Sequence, residues 1–554
     1  MKSFNTNEGK IAYFTMEIGL NPQMNTYSGG LGILSGDVIR SFADLEVPAV
    51  GVTQLNDRGY CKQILDEEGN QVYSEDVWNP EDYLERLSVK TSVEIEGKKV
   101  DVGAWQEEAE SEGGFSVPVL FLDTNLEGNP EEHQNITSCL YRGDQKRRLK
   151  QEIVLGIGGA RILKELDYEI RKYHMNESHS SLLTLELLKR YDMNRESVRD
   201  RCVFTTHTPE SSGHDRFSYD LVKEVLGEFI PIKTLKDLSR EEDLHMTLLA
   251  LNLSGYANAV SKRHEEVTKE MFPGFPIDSI TNGVHSSYWT SDSFKKLYDE
   301  YIPGWRKDHY KLKYAVRIPG EKIWKAHLDE KEKLIDYVNK KSDVEMNERV
   351  FTIGFARRAT PYKRADLIFQ NPDQLVKIDK EVGDFQIIFA GKPHPEGEES
   401  KKMIKKIKGH INDLKDNIEM TYLEDYDMGK AALMTSGADL WLNNPERGRE
   451  ACGTSGMKAA CNGIPQLSTL DGWWIEGYIE DVTGWKIGSE LGEKQENDRD
   501  VEANELYEKL TDKIIPTFYS QKKKWTQIMR NTIAHNASFF NAHRMVREYI
   551  LNAF

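Results

Sequence analysis

The chain has 554 residues, which is enough for two or more domains with full hydrophobic cores. Its 91 acidic residues outnumber 73 basic ones and give a net charge of −18. This balance argues against nucleic acid as a partner, because Lys and Arg contacts to phosphates drive that binding. It favours a neutral polymer or a small molecule as substrate.

The sequence carries no evident signal for secretion or membrane insertion. Residues 1–6 lack the apolar segment of a signal peptide, and no run approaches the roughly 18 apolar residues of a membrane helix. The 5 cysteines are odd in number and widely spaced, which favours reduced thiols. We therefore expect a cytoplasmic protein without a membrane partner.

A glycine loop is predicted between the first strand and the first helix. Residues 11–14 are apolar and predict a strand, residues 27–37 read YSGGLGILSGD, and residues 38–45 have helical spacing. Such a loop can bring backbone N–H groups onto a phosphate, and a plain tight turn is the alternative.

The next segments predict scaffold rather than chemistry. Residues 91–122 alternate like an antiparallel ribbon, and the acidic stretch 106–114 is expected to be a solvated surface loop. Residues 145–166 are predicted to form one long helix. The glycine run 156–159 lies inside this helix and follows no strand, so helix packing is favoured over a nucleotide-binding loop.

Polar residues follow several predicted strands and turns of the first domain. Residues 173–179 read YHMNESH, but their spacing does not match a zinc motif, so no metal is expected. His207 follows a predicted strand over 202–206, where either a ligand contact or a structural role is open. Residues 279–285, SITNGVH, contain an Asn-Gly turn.

A second sheet is predicted after a hinge at the polar stretch 340–347. A strand over 350–356 leads into residues 357–364, RRATPYKR, which place four cations within eight residues of an acidic chain. Arg and Lys at a strand end suit a phosphate, and a solvated charge run is the alternative. A further strand is predicted over 385–390.

The motif EACGTSGMK occupies residues 450–458 and follows a predicted strand over 438–442. Its small residues leave the backbone bare, so N–H groups at the turn can hold an anion beside Lys458. This arrangement suits a phosphorylated aldehyde cofactor joined to the lysine as a Schiff base. A sharp turn with a solvated lysine is the alternative.

EACGTSGMK resembles the pyridoxal-phosphate lysine motif of the α-glucan phosphorylases. The glycine loop, the Asn-Glu-x-His turn, Thr-His-Thr, Thr-Asn-Gly and the basic segment resemble that family in the same order, and the early glycine loop resembles its short members. The resemblance implies an α/β fold of two Rossmann-like domains with mostly parallel sheets facing across a deep cleft, the GT-B type. The predicted domains are 1–315 and 316–525, with a helical tail over 526–554 crossing back to the first.

The resemblance also implies an activity. It is phosphorolysis of α-1,4-glucans to glucose 1-phosphate with retention, in which the phosphate of pyridoxal 5′-phosphate relays a proton. The implied partners are glycogen, starch or maltodextrin, inorganic phosphate and glucose 1-phosphate, and the family leaves room for a homo-oligomer.

By resemblance, the functional residues fall into three sets. The catalytic set is Lys458, Arg358, Lys363, His207 and Glu450. The cofactor-binding set is Lys458, Arg357, Gly453, Thr454 and Ser455. The substrate-binding set is Gly29, Gly30, Leu31, Asn176, Glu177, His179, His207, Asn282, Tyr362 and Glu450.

Two other functions stay open at this point. A nucleotide-sugar-dependent glucan synthase could share the two-domain plan, but it would not need a lysine at position 458. A non-catalytic glucan-binding protein is the other alternative, against which the intact Lys458, Glu450, Arg358 and Lys363 argue.

Overall fold

The computed structural model describes residues 9–66, 68–210, 213–395, 397–489 and 498–554. The N-terminal residues 1–6, in which no signal peptide was expected, lie outside this part. By its contacts the chain divides into two units. Unit 1 comprises Met1–Cys61, Glu75–Ile280 and Val546–Phe554, and unit 2 comprises Lys62–Ser74 and Thr281–Met545.

These units differ from the predicted domains in three places. Residues 281–315, placed by the sequence analysis in the first domain, group with unit 2. Lys62–Ser74, which the sequence analysis also placed in the first domain, group with unit 2. Of the tail 526–554, only Val546–Phe554 group with unit 1.

Unit 1 is built on a nine-stranded sheet. In spatial order its strands are Ile277–Ser279, Tyr256–Ala259, Cys202–Thr205, Ile170–Asn176, Lys10–Thr15, Ala49–Gln54, Ser116–Asp123, Lys98–Glu110 and Glu85–Ile95. The first seven pair in parallel, and the last two are antiparallel. The central strands are buried along almost their whole length, as expected for parallel strands covered on both faces.

The predicted antiparallel ribbon is confirmed, but the solvated loop predicted over 106–114 is wrong in its first half. The strand Lys98–Glu110 continues through it, and its pairing with Ser116–Asp123 extends from Gly103↔Asp123 to Glu110↔Ser116. Glu108 and Glu110 occupy exposed positions of this strand, whereas Glu107 is partly buried on the face that buries Ala109. Charge alone therefore failed to separate a solvated strand face from a loop.

Residues 145–166 form the predicted helical segment, with a π-helical turn in its middle. The α-helix Gln145–Ile153 continues through the π turn Val154–Gly158 into Gly159–Glu165. A Cβ at Gly156 would lie 2.6 Å from the backbone nitrogen of Leu183. The glycine run therefore permits close packing, as predicted.

Unit 2 contains a six-stranded sheet. Its strands in spatial order are Met420–Leu423, Phe385–Ala390, Phe351–Ala356, Leu440–Asn443, Gln466–Thr469 and Gly484–Ile487. Every neighbouring pair in this sheet is parallel. Both units are thus α/β with mostly parallel sheets, which confirms the predicted fold class.

Smaller strands and the helices complete the two units. Short antiparallel pairs join Arg216–Ser218 to Asp243–His245 and Lys62–Leu65 to Gln71–Ser74. The α-helices of unit 1 are Gly30–Asp44, Glu131–Gln134, Gln145–Ile153, Gly159–Glu165, Leu183–Arg190, Arg195–Arg199, Tyr219–Leu226, Ile232–Ser239, Met246–Asn252 and Lys262–Met271. Those of unit 2 are Ser286–Trp289, Asp292–Tyr301, Gly320–Lys341, Pro372–Glu381, Glu398–Leu414, Met428–Gly437, Ser455–Ala460, Trp474–Gly477, Arg499–Lys509, Ile515–Ser520 and Lys522–Asn531. The last helix, Ala542–Asn552, contributes residues to both units. Among the described residues, no helix is both long and apolar enough to cross a membrane.

A buried ion cluster ties the long helix Gly320–Lys341 to the sheet of unit 2. The carboxylate of Asp439 pairs with Lys331, lies 2.7 Å from Nε2 of His327, and accepts a hydrogen bond of 2.7 Å from the backbone N–H of Thr352. Both charged side chains of the pair are fully buried. Asp439 directly precedes the strand Leu440–Asn443, so this cluster fixes the strand that leads to EACGTSGMK.

We predict that Asp439→Asn lowers the free energy of unfolding by about 3–5 kcal/mol, because it leaves the ammonium of Lys331 buried without its anion. The control Asp384→Asn changes an exposed carboxylate and should stay within about 0.5 kcal/mol of wild type. Thermal unfolding of the two variants measures the difference, and equal midpoints would contradict the prediction.

Candidate active site

The glycine loop of unit 1 forms the N-terminus of the helix Gly30–Asp44, with Gly29 as its N-cap. A Cβ at Gly29 or Gly30 would meet no atom within 4 Å, so bare backbone faces open space there. The N–H groups of Gly30 and Leu31 donate to no described residue. Unpaired N–H groups and the helix dipole together favour an anion at this point.

Glu17 fixes the shape of this loop. Its carboxylate accepts hydrogen bonds from the backbone N–H groups of Ser28, at 2.6 Å, and Gly29, at 3.2 Å. A Cβ at Gly32 would lie 2.8 Å from Oε2 of Glu17, so glycine is needed for this close approach. One predicted anion donor, Gly29, is therefore already paired, and the sequence analysis missed Glu17.

His207 is held against the sheet of unit 1 by Asn176. Nε2 of His207 lies 2.6 Å from Oδ1 of Asn176, and since that oxygen only accepts, Nε2 carries the proton. Nδ2 of Asn176 donates to the hydroxyl of Ser35 at 2.9 Å, which fixes the orientation of the amide. Burial lowers the pKa of His207 to about 3, so the ring is neutral at pH 7 and its Nδ1 can accept a hydrogen bond.

Glu177 has a strained backbone and holds the turn that carries His207. Its φ of 72° and ψ of 166° fall in a region that is essentially restricted to glycine. Its carboxylate accepts from the N–H of His207 at 2.6 Å and from the hydroxyl of Thr208 at 3.0 Å. Burial raises the pKa of this carboxyl. The structure thus places Asn176, Glu177 and His207 together.

His179 lies beside this group. It is buried, its Nε2 lies 3.7 Å from a carboxylate oxygen of Asp215, and its ring packs against Tyr141. Burial lowers its pKa to about 3, so this imidazole is neutral as well.

Two cations predicted to act in unit 2, Arg357 and Lys363, contact the carboxylate of Glu450. Its Oε2 lies 2.7 Å from Nη2 of Arg357 and also pairs with the ammonium of Lys363. Burial alone would raise the pKa of Glu450, but the charges of Arg357 and Lys363 outweigh it and lower the pKa to about 2. Among the described residues none donates to Oε1 of Glu450.

One donor of this ion cluster is available for a further polar partner, and neighbouring contacts fix the start of the motif. Nη1 of Arg357 is buried without a hydrogen-bond partner in the part of the chain that the structure describes. The backbone N–H of Glu450 donates to Asp471 at 2.9 Å, which fixes the start of the motif. Gly453 has a φ of 83°, and a Cβ there would lie 3.2 Å from the carboxyl group of Glu450.

Lys458 is buried in the helix Ser455–Ala460, for which Thr454 is the N-cap. Its ammonium lies 3.8 Å from the ring centroid of Trp289. The side-chain amide of Asn462 donates to the backbone carbonyls of both Trp289 and Lys458, at 3.0 Å and 3.3 Å. The alternative of a solvated lysine is therefore wrong.

The remaining predicted residues of unit 2 differ in exposure. Asn282 is buried, and its Oδ1 has no partner among the described residues. Tyr362 is half-buried, with the ammonium of Lys363 lying 4.5 Å from its ring centroid. Arg358 is exposed at the end of the strand Phe351–Ala356.

The parallel α/β sheets, the bare helix N-terminus and the buried cations define an α/β protein of the GT-B class that is equipped to bind anions. A family model described as Carbohydrate phosphorylase matches residues 214–513. The chain is 37% identical to the maltodextrin phosphorylase of Thermococcus litoralis, over 99% of this chain and 71% of that protein. It is 36% identical to the glycogen phosphorylase of Aquifex aeolicus, over 98% of this chain and 85% of that protein. It is 32% identical to the glycogen phosphorylase of Mycobacterium tuberculosis, over 98% of this chain and 70% of that protein. The chain belongs to the carbohydrate phosphorylase family.

We predict that Glu450→Gln lowers the free energy of unfolding by about 3–5 kcal/mol, because Arg357 and Lys363 lose their buried anion. The folded-state pKa of about 2 lies below the ordinary value of 4.5, so the ionised carboxylate stabilises the fold above pH 4.5. That contribution is lost as the pH falls through 2. The difference in unfolding free energy between Glu450→Gln and the wild type should therefore narrow as the pH falls from 4.5 to 2, and thermal unfolding at a series of pH values measures it.

The matched control is Glu446→Gln, which removes a partly exposed carboxylate 2.8 Å from Arg449. An ion pair of this kind is worth at most about 1 kcal/mol. Equal losses in the two variants would contradict the assignment of Glu450 to a buried cluster.

Proposed function

We propose that this chain catalyses the phosphorolysis of α-1,4-glucans, in which inorganic phosphate releases glucose 1-phosphate and pyridoxal 5′-phosphate is bound at Lys458. Membership of the carbohydrate phosphorylase family supports this proposal, as does the similarity to a maltodextrin phosphorylase and a glycogen phosphorylase. The observation that carries it is the buried Lys458 in a motif whose Glu450 binds Arg357 and Lys363.

The residues around Lys458 fit a phosphorylated aldehyde. Nη1 of Arg357 is a buried donor without a hydrogen-bond partner among the described residues, as an anion would require. The N–H groups of Thr454 and Ser455, at the start of the helix Ser455–Ala460, bond to no described residue. We propose that Lys458 holds the cofactor and that Arg357, Gly453, Thr454 and Ser455 surround its phosphate. When bound, the cofactor supplies an acidic phosphate that can pass a proton to the substrate phosphate.

The chain's own residues would bind and orient the reactants. Lys363 and Arg358 carry the charge that neutralises inorganic phosphate, and the N–H groups of Gly30 and Leu31 add fixed dipoles. These groups would stabilise the negative charge that faces an electron-poor sugar carbon as its bond to the departing oxygen breaks. Because the donors are fixed before the substrate arrives, little reorganisation accompanies the reaction.

The sugar would be held by acceptors that the folded chain leaves open. Oε1 of Glu450, Oδ1 of Asn282 and Nδ1 of neutral His207 can each accept a hydrogen bond from a hydroxyl group. A site built from such acceptors favours a polyhydroxylated substrate, because groups that lack hydroxyls would leave the acceptors unpaired. The deep cleft expected between the domains stays a prediction.

The experiment that tests this function compares two glucosyl donors, maltoheptaose and a nucleotide sugar. Maltoheptaose with inorganic phosphate should give glucose 1-phosphate in an amount that depends on phosphate, whereas a nucleotide sugar should transfer no glucose. Transfer from the nucleotide sugar without phosphorolysis would favour a glucan synthase instead. Binding of maltoheptaose without turnover under excess phosphate would favour a non-catalytic protein.

We predict that Lys458→Ala abolishes phosphorolysis and covalent attachment of the cofactor, because no other side chain of the motif has the amine that a Schiff base requires. Borohydride reduction followed by peptide mapping should place the cofactor on Lys458 in the wild type. The control Lys402→Ala, which changes a lysine whose side chain is 72% exposed, should label and react as the wild type does. Labelling that persists in Lys458→Ala would contradict the assignment.

We predict that Gly30→Ala raises the KM for phosphate by about tenfold or more, since a methyl group would enter the open space before the helix N-terminus. The fold should tolerate the change, because the new Cβ meets no protein atom and alanine favours a helix. Steady-state kinetics and a thermal unfolding curve test both statements. An unchanged KM for phosphate would show that these N–H groups do not bind it.

A further inference from the structure

We propose that Tyr141 is a positioning residue for the glycine loop: its hydroxyl holds Glu17, and Glu17 holds the loop in the shape that binds phosphate. This inference rests on the proposed function, because it assigns phosphate to the N–H groups of the loop. It adds a residue that neither the family motifs nor the spacing of the sequence singled out.

A continuous chain of hydrogen bonds links Tyr141 to the loop. The hydroxyl of Tyr141 donates to Oε1 of Glu17 at 3.0 Å. Oε2 of the same carboxylate accepts from the N–H groups of Ser28 and Gly29. Glu17 is almost fully buried, so its carboxylate depends on these donors in place of water. Oε1 also accepts from the hydroxyl of Ser28, at a longer 3.3 Å. Removal of the tyrosine hydroxyl would leave Oε1 with this longer hydrogen bond alone and would loosen the loop.

The backbone of Tyr141 is strained in a way that points to a role. Its φ of 56° lies in the left-handed region, which bulky side chains rarely adopt. Such a conformation persists only where the surroundings over-determine it, and residues of this kind cluster at functional sites. Here the strain accompanies a side chain that reaches from its own turn to Glu17.

The ring of Tyr141 is fixed on a second side by Arg148. The guanidinium carbon lies 4.8 Å from the ring centroid, which is a cation–π contact. Arg148 is itself held by Asp215, at 3.0 Å, and by Glu152, at 3.2 Å. The ring also packs against His179 at 5.9 Å. Tyr141 therefore joins Glu17 to the group around His179.

Arg148 and Glu152 lie on the helix that runs into the π turn Val154–Gly158. π turns within α-helices frequently occur at functional sites. Glu152 is fully buried, and burial raises the pKa of its carboxyl, whereas burial and the charge of Arg148 act against each other on Asp215 and leave its pKa at about 2. The negative charge of Asp215 thus compensates the positive charge of Arg148. This ion pair holds the guanidinium of Arg148 above the ring of Tyr141.

The test is Tyr141→Phe, which keeps the ring, its contact with Arg148 and its packing on His179, and removes only the hydroxyl. We expect the KM for phosphate to rise by up to about tenfold, because Glu17 loses a charge-assisted hydrogen bond worth at least that factor and holds the loop less firmly. The KM for maltoheptaose should stay unchanged, because the sugar acceptors are not altered. A structural role alone would lower the thermal midpoint without separating the two KM values.

The matched control is Tyr256→Phe in the same unit, which also removes a tyrosine hydroxyl 3.0 Å from a carboxylate, that of Asp278. It should leave both KM values unchanged. A double-mutant cycle with Glu17→Gln adds a second readout. In the Glu17→Gln background, Tyr141→Phe should change the KM for phosphate by much less than tenfold, because both residues act through one bond.

Three outcomes would overturn the inference: an unchanged KM for phosphate in Tyr141→Phe, equal rises in both KM values, or full additivity in the cycle. Failure of the proposed function is a different result, in which the wild type releases no glucose 1-phosphate. In that case, equilibrium dialysis with labelled inorganic phosphate still tests whether Tyr141 affects phosphate binding. Weaker phosphate binding by Tyr141→Phe than by wild type supports the inference, and equal binding overturns it.

Discussion

The site of unit 2 depends on one buried carboxylate that two buried cations share. Removing charges from water is costly, and their attraction offsets that cost only when partners are complete. Glu450 satisfies one side of Arg357 and the ammonium of Lys363, but Nη1 of Arg357 has no partner among the described residues. The cluster therefore carries more positive than negative charge, and an anionic ligand would complete it.

Unit 1 offers an anion backbone N–H groups in place of cationic side chains. Its glycine loop carries no cation, and the N–H groups at the start of the helix Gly30–Asp44 supply fixed partial charges instead. The buried carboxylates of this unit act on the backbone: Glu17 holds Ser28 and Gly29, and Glu177 holds His207. These contacts pair three backbone N–H groups with carboxylates of the chain itself, and two residues that take part in the two networks, Tyr141 and Glu177, have a positive φ.

Much of the fold could be predicted from local pattern, because continuous apolar runs mark the strands of parallel sheets. The sequence predicts the strand Phe385–Ala390 with its observed bounds. The acidic stretch after residue 106 was mistaken for a loop, because a strand with one solvated face carries the same charges as a loop does.

The site was predictable where short motifs carry the chemistry, as in EACGTSGMK, and not where partners are distant in sequence. Glu17 and Tyr141 are separated by 124 positions, and no local spacing joins them. Asp471 and Trp289 were missed as partners of the motif for the same reason, since only the folded chain brings them to Glu450 and Lys458. The strain at Tyr141 is equally invisible in the sequence, because φ depends on the fold.

The most direct test of the account is the affinity for inorganic phosphate, measured by isothermal titration calorimetry on the cofactor-loaded protein. The wild type should bind phosphate saturably, and Lys363→Met should bind it at least about tenfold more weakly, because a charge-assisted contact is lost. Arg349→Met, which changes an arginine whose side chain is 88% exposed, should bind as the wild type does. Equal phosphate affinity in the wild type and Lys363→Met would contradict the claim that the Glu450 cluster is built to receive an anion.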